Sequence, residues 1–217
     1  MIEEGMMGDA TLLLFDAGGV LVDWRGTSGL VELTDGRLDH EQARRFWMGF
    51  EAVVPFETGD DDGSRFARAA LEALELDMTP TAFLEVFDGW MQGPYPGARE
   101  LVESIRPAYR RAVLSNTNPV HWPRLIDDYH FGAPFERAFA SHEIGARKPD
   151  ADAFEIVCEA LGVAPRQVHF FDDNPECIEA ARELGMAATR VQGLDELHRA
   201  LAELGVLSPS STQRGSR

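Results

Sequence analysis

Polar residues able to do chemistry stand directly after apolar runs in this sequence. Thr11–Phe15 are followed by Asp16-Ala17-Gly18-Gly19, Ala112–Leu114 by Ser115-Asn116, and Val168–Phe171 by Asp172-Asp173-Asn174. Lys148 sits apart, in Gly145-Ala146-Arg147-Lys148-Pro149. If the apolar runs are neighbouring strands of an open parallel sheet, their carboxyl ends converge on one crevice. A hydroxyl and three carboxylates would then share a small volume. Carboxylates that close repel strongly unless a cation lies among them, so the set asks for a metal. All-oxygen donors favour Mg2+ over zinc or copper. With Lys148 reaching back as a fixed positive charge, the constellation describes a receptor for a phosphoryl group.

Such convergence needs a particular framework, and the pattern supplies it. Runs at Arg111–Ser115, Arg137–Ser141, Val168–Asp172 and Met186–Arg190 repeat the style of the first one and are separated by helix-like sequence. Continuous apolar runs fit strands buried on both faces. Helix ends are marked as well: Asn174-Pro175 opens one helix and Gly185 closes it, while Asp150 and Gly162 bracket another. Alternation of this kind predicts an α/β fold, a doubly wound parallel sheet with right-handed crossovers, over residues 10–24 and 94–207. Between them, residues 25–93 carry helical patterns at Glu41–Ala52, Ser64–Leu76 and Pro80–Trp90, and read as an inserted helical cap. Its expected borders are loops at Trp24–Gly29 and Gly93–Gly97. Residues 208–217 are polar without an apolar anchor and are expected to be disordered.

In these four places the sequence resembles the haloacid dehalogenase superfamily of hydrolases, most of which are phosphatases. LLLFDAGGVLVD, VLSNTN, GARKPD and VHFFDDN stand in the family's order and cover nearly the whole core. The resemblance implies a Rossmann-type core and a Mg2+-dependent phosphatase. It makes Asp16 the nucleophile that forms an aspartyl-phosphate, Ser115 and Asn116 substrate-binding groups, and Lys148 the charge neutraliser. Asp16, the Gly18 carbonyl and Asp173 would hold Mg2+, with Asp172 as a partner behind Asp173. One position departs from the family. Two residues after the nucleophile most of its phosphatases carry a second Asp, the general acid, and here that residue is Gly18. The loss is worth about 10²–10⁴ in rate. A good leaving group, a donor such as Asp23 or Glu57, or a feeble catalyst that mainly binds a phosphorylated ligand would each account for it. Gly18 with LSNTN, RKP and FFDDN looks like a branch that includes bacterial phosphatases of α-glucose 1-phosphate, which points to sugar phosphates. The family's dehalogenases also lack the second Asp, but they use no metal, and the Asp172-Asp173 pair argues against them.

Composition narrows the partners. Twenty Lys and Arg against 37 Asp and Glu give a formal charge of −17, which disfavours nucleic acid and anionic membranes. Two cysteines, Cys158 and Cys177, have no Cys-x-x-Cys spacing, and the start lacks a secretory pattern, so a cytoplasmic monomer or homodimer acting on small phosphorylated metabolites is expected. Asp60-Asp61-Asp62-Gly63 suggests a calcium loop but lacks the rest of an EF-hand ligand set, and reads as an exposed loop. The histidines, among them His121, His130, His142 and His169, show no paired zinc spacing. His121 and Trp122 are expected to pack in a helix or to border the active-site mouth, and Phe46, Trp47 and Phe50 to form the cap's own core or to offer an exposed pair to the substrate pocket.

Overall fold

The computed structural model describes residues 10–209. The chain runs through β1 (Leu12–Phe15) and β2 (Val22–Trp24) into five helices, α1 (Gly26–Leu33), α2 (His40–Gly49), α3 (Val53–Glu57), α4 (Ser64–Leu74) and α5 (Pro80–Asp88). It returns through β3 (Met91–Pro94), α6 (Ala98–Glu103), β4 (Arg110–Ser115), α7 (His121–Asp127), β5 (Arg137–Ala140), α8 (Ser141–Ile144) and α9 (Ala151–Leu161). The last elements are β6 (Val168–Asp172), α10 (Pro175–Glu183), β7 (Ala187–Arg190) and α11 (Gly193–Glu203).

Five of the strands form one parallel sheet in the order β5-β4-β1-β6-β7. Burial explains why its strands read as continuous apolar runs rather than alternating ones. Leu13 and Phe15 join Val113, Phe171, Trp122 and Leu201 on one face. Leu12 and Leu14 join Phe154, Phe170 and Ile178 on the other. Both faces are roofed by helices, so every side chain of β1 is withdrawn from water. Local chemistry sets the helix ends: the Asn174 side chain accepts from Glu176 N with Pro175 at the first helical position, Thr79 accepts from Ala82 N, and Gly162 ends α9 at φ +64°.

Helices α1–α5 have a separate core that includes Phe56, Phe66, Phe83, Phe87 and Trp90. Several details there differ from the sequence expectations. The stretch Trp24–Gly29 is not a loop but the end of β2 and the start of α1, and β2 pairs antiparallel with β3, so a two-stranded ribbon spans both expected borders. Such short strands carry too few residues to show a period. The helix expected over Glu41–Ala52 stops at Gly49, because Phe50 leaves the helical region at ψ 86°, and α3 follows with Pro55 inside it. A single continuous helix would set the Pro55 ring against the carbonyl of Glu51. Of the tail expected over 208–217, Ser208 donates its amide to the Ser104 carbonyl at 2.8 Å, and residues 210–217 lie outside the described residues. Among the described residues no helix is long and apolar enough to cross a membrane.

Within the acidic run, Asp60 and Asp62 are exposed as expected and Asp61 is the correction. Asp61 is buried, and its carboxylate accepts from Arg65 N at 3.2 Å and Phe66 N at 2.7 Å, closing the first turn of α4. It is a structural acceptor rather than part of an exposed loop. Asp61→Ala leaves two amides without that acceptor and is expected to cost about 1–2 kcal/mol. Urea denaturation measures the cost; an unchanged midpoint would contradict the assignment.

Candidate active site

The sheet order brings the chemistry together. β1 lies between β4 and β6, and the strand order reverses about it, which opens a crevice at the carboxyl ends. Asp16 follows β1 and is fixed by its amide, which donates to the Phe171 carbonyl at 2.8 Å. Ser115 ends β4, Asp172 ends β6 and Asp173 comes next. Lys148 arrives from the loop after α8 and is buried, with Nζ 2.7 Å from Asp16 Oδ1 and 2.6 Å from Asp172 Oδ2. Asp16, Asp172 and Asp173 each offer a carboxylate oxygen, and these lie within 4.8 Å of one another.

Three carboxylates and one ammonium leave a formal charge of −2 in one small volume. Burial, opposed by Lys148 and reinforced by Asp172 and Asp173, pushes Asp16 up to about 7. Burial first, then Asp172, also raises Asp173. Burial disfavours the Lys148 charge, yet the two aspartates outweigh it and hold the ammonium protonated. A divalent cation on oxygen ligands fits this deficit in charge and donor type. The hydrogen bonds separate the two neighbouring aspartates. Asp172 spends Oδ2 on Lys148 and Oδ1 on the Asn174 amide at 2.8 Å, whereas the Asp173 carboxylate has no hydrogen bond or ion pair to another described residue's side chain.

Two glycines shape the nucleophile loop. A Cβ on Gly19, which sits at φ +75°, would come within 2.6 Å of Asp173 Oδ2, so only glycine lets that carboxylate close on the loop. Gly18 is different: a Cβ there would meet nothing nearer than Trp24 Cβ at 3.7 Å. The missing acid is thus not excluded by packing.

The remaining residues divide by what they touch. Ser115 is buried, and its Oγ makes only a long 3.5 Å contact with the Asn116 carbonyl. Asn116, expected to bind substrate, lines the cleft, and its carboxamide grips the backbone of Lys148, donating to its carbonyl at 2.7 Å and accepting its amide at 2.9 Å. Sequence reasoning missed Ser141, which accepts from Thr117 N and donates to Thr117 O, locking the loops after β4 and β5 together. It also missed Asn118, whose side-chain oxygen accepts from Val120 N and His121 N while its amide meets His121 Nδ1 at 3.1 Å. With Nδ1 as acceptor, His121 Nε2 donates to Phe87 O at 2.9 Å, and burial holds its pKa down at about 4. Ser141 stands in no recognisable motif; Asn118 closes the VLSNTN motif, and the Asx pattern before a helix also hinted at it. Burial pushes the Cys177 thiol, at the same cleft, up to about 12, which removes it as a nucleophile near neutral pH.

A cleft of about 580 Å³ opens above these groups, walled on its far side by residues of the helical insert. Insert and sheet are joined around it by His121 to Phe87, by Arg124 to Asp88 at 3.4 Å, and by Arg147 to Glu57 at 3.1 Å. Of the two proton donors considered, Glu57 lines the cleft, whereas Asp23 is held by Arg25 at 2.9 Å and does not.

A family model for haloacid dehalogenase-like hydrolases matches residues 10–185. The chain belongs to this family. It is similar to a phosphatase of Mycobacterium tuberculosis, 31% identical over 208 residues that cover 90% of this chain and 95% of the relative. Among solved structures it resembles a HAD family enzyme of Bacteroides thetaiotaomicron in complex with magnesium and inorganic phosphate, at 22% identity and a TM-score of 0.64, covering 84% of this chain and 94% of that one. It equally resembles the L-2-haloacid dehalogenase of Xanthobacter autotrophicus, at 23% identity and a TM-score of 0.65, covering 92% and 85%. The hydrolase fold is common to all, so fold alone does not choose between phosphorus and carbon chemistry.

Gly19→Ala is expected to push Asp173 out of place and weaken Mg2+ binding about 10–100-fold. Isothermal titration calorimetry with Mg2+ alone measures it. Wild-type affinity in the variant would show that Asp173 does not depend on this close approach.

Proposed function

We propose that this hydrolase is a Mg2+-dependent phosphatase of small phosphate monoesters, working through an aspartyl-phosphate on Asp16. The observation that carries the reading is the buried Asp16–Lys148–Asp172 bridge with Asp173 beside it, a site left at −2. Asp16 and Asp173, with the Gly18 carbonyl, would hold the ion, which when bound supplies charge neutralisation for the phosphoryl oxygens. A metal-free dehalogenase would have to draw an anionic haloacid into the same negative site, which the electrostatics oppose.

The chain's own groups account for the rest. Lys148 pins Asp16 Oδ1, so one carboxylate oxygen is fixed and the other is available to attack phosphorus. Ser115, with its hydroxyl otherwise barely engaged, donates to a phosphoryl oxygen. Asn116 acts through Lys148, holding the backbone that carries it. As the P–O bond to the organic group breaks, the leaving oxygen needs a proton that residue 18 cannot give. Water then attacks phosphorus in the second transfer and frees Asp16. Leaving groups that depart without a strong acid, such as acyl or anomeric oxygens, suit this site best.

A second reading rests on Gly18: a protein that binds a phosphorylated ligand and turns it over negligibly. Phosphate release from acetyl phosphate, α-glucose 1-phosphate and simple alkyl phosphates separates the two. For a phosphatase, release requires Mg2+, falls by about 10³-fold or more in Asp16→Asn, and favours acetyl phosphate in the wild type. Gly18→Asp, for which there is space, is expected to raise alkyl phosphate turnover by about 10²-fold. Binding without release in the wild type, with release appearing only in Gly18→Asp, would put the ligand-binding protein ahead.

A further inference from the structure

The far wall of the cleft is apolar. Among the described residues, five large hydrophobic side chains are exposed, and three of them, Trp24, Met48 and Val54, line this one cleft. Their exposures are 38%, 62% and 40%. Behind them the rings of Trp24, Trp47 and Phe87 lie 5.7–6.3 Å from one another, and Phe50 adds a further ring to the lining. Apolar surface gathered at a concave site, rather than scattered, marks a binding surface.

Some of the polar groups nearby are already engaged. Asn118 and His121 satisfy each other, the start of α7 and the Phe87 carbonyl. Glu57 faces Arg147, and Glu51 is exposed to solvent. The indole N–H of Trp47 on this wall, Glu57 Oε2 and Arg147 Nε are buried without a hydrogen-bond partner among the described residues. A polyol lying against the Trp24, Met48 and Val54 side chains would set several hydroxyls against apolar surface, which costs affinity for each hydroxyl left unpaired.

We infer that the organic group of the substrate is apolar, an aromatic ring or a branched aliphatic chain, carried on a phosphate monoester whose phosphate faces Asp16. The inference rests on the phosphatase reading for its phosphate end, and on the wall of Trp24, Met48 and Val54 for the rest. Methylene-sized apolar contacts discriminate by about 10–200-fold, so a preference in that range is expected.

The test compares kcat/KM with Mg2+ for benzyl phosphate, dimethylallyl phosphate, α-glucose 1-phosphate and ribose 5-phosphate. In parallel, benzylphosphonate and ribose 5-phosphate are titrated calorimetrically into the Asp16→Asn protein with Mg2+. An apolar phosphate favoured by about tenfold or more in both measurements supports the inference, and the better of benzyl and dimethylallyl tells ring from chain. Met48→Gln and Val54→Gln, at exposed positions, should each lower the ratio of benzyl phosphate to acetyl phosphate kcat/KM severalfold, mainly through KM. Sugar phosphates turned over as well or better would overturn the inference and leave the phosphatase standing. Tight benzylphosphonate binding with no turnover of any phosphate, acetyl phosphate included, would do the reverse.

Discussion

Lys148 holds its ammonium between two buried carboxylates that come from opposite ends of the chain's core, Asp16 at 2.7 Å and Asp172 at 2.6 Å. Much of the surrounding structure serves that contact. Burying three charges is costly, and mutual attraction repays the cost only when geometry is fixed and remaining lone pairs are satisfied. The fold meets both conditions. β1 and β6 are hydrogen-bonded neighbours, so the two aspartates leave the sheet side by side. The Asn174 amide takes the second oxygen of Asp172, and Asn116 clamps the Lys148 backbone from both sides. Removing the lysine would leave adjacent buried anions with no counter-charge, a state the fold can tolerate only by protonating one or binding a cation.

The same electrostatics connect structure to chemistry. A site left at −2 repels anions, and phosphate monoesters are anions. On the proposed phosphatase reading, the site would work on them only with a cation held among the carboxylates, and the excess negative charge would be the means of holding it. Asp173, not engaged by the lysine, and Gly19, without a Cβ to block it, are the two features that give a cation a place. Gly18 is the contrasting case. A Cβ there would meet nothing nearer than 3.7 Å, so on the phosphatase reading the missing carboxylate bears on which leaving groups the site can expel.

The sequence was most legible where a residue's neighbours in space are fixed by the sheet. Strands buried on both faces produce unbroken apolar runs, and their carboxyl ends are where Asp16, Ser115 and Asp172 were expected to meet. Legibility fell wherever partners come from distant segments. Asp61 sits in a run of acids that looks like a solvated loop, and only the backbone turn into α4 reveals that its carboxylate faces inward. Ser141 opens α8 and Asn118 lies in the loop after β4; their work depends on Thr117 and His121 being within reach. Asn116 shows a subtler limit. Its place beside Ser115 suggested contact with the ligand, yet its carboxamide is committed to a lysine 32 residues away. β2 and β3 were hidden because a ribbon so short offers no period to read.

On the proposed reading, specificity and chemistry would occupy different parts of this molecule, and the joints between them would limit how independently they can change. The charged end is built from strand termini that the sheet holds rigidly. The apolar wall belongs to helices with their own core of Phe56, Phe66, Phe83 and Phe87, which can accept new lining residues without disturbing the sheet. The two meet through His121 on the Phe87 carbonyl, Arg124 on Asp88 and Arg147 on Glu57. The last joint stands one residue from Lys148, so a shift of the insert at Glu57 pulls on the segment that carries the catalytic charge. Asn116 resists that pull from the sheet side. On that reading, substitutions at Met48 or Val54 would alter what the cleft accepts, whereas changes at Asn118 would act on how the wall is set against the carboxylates and reach the chemistry through position alone.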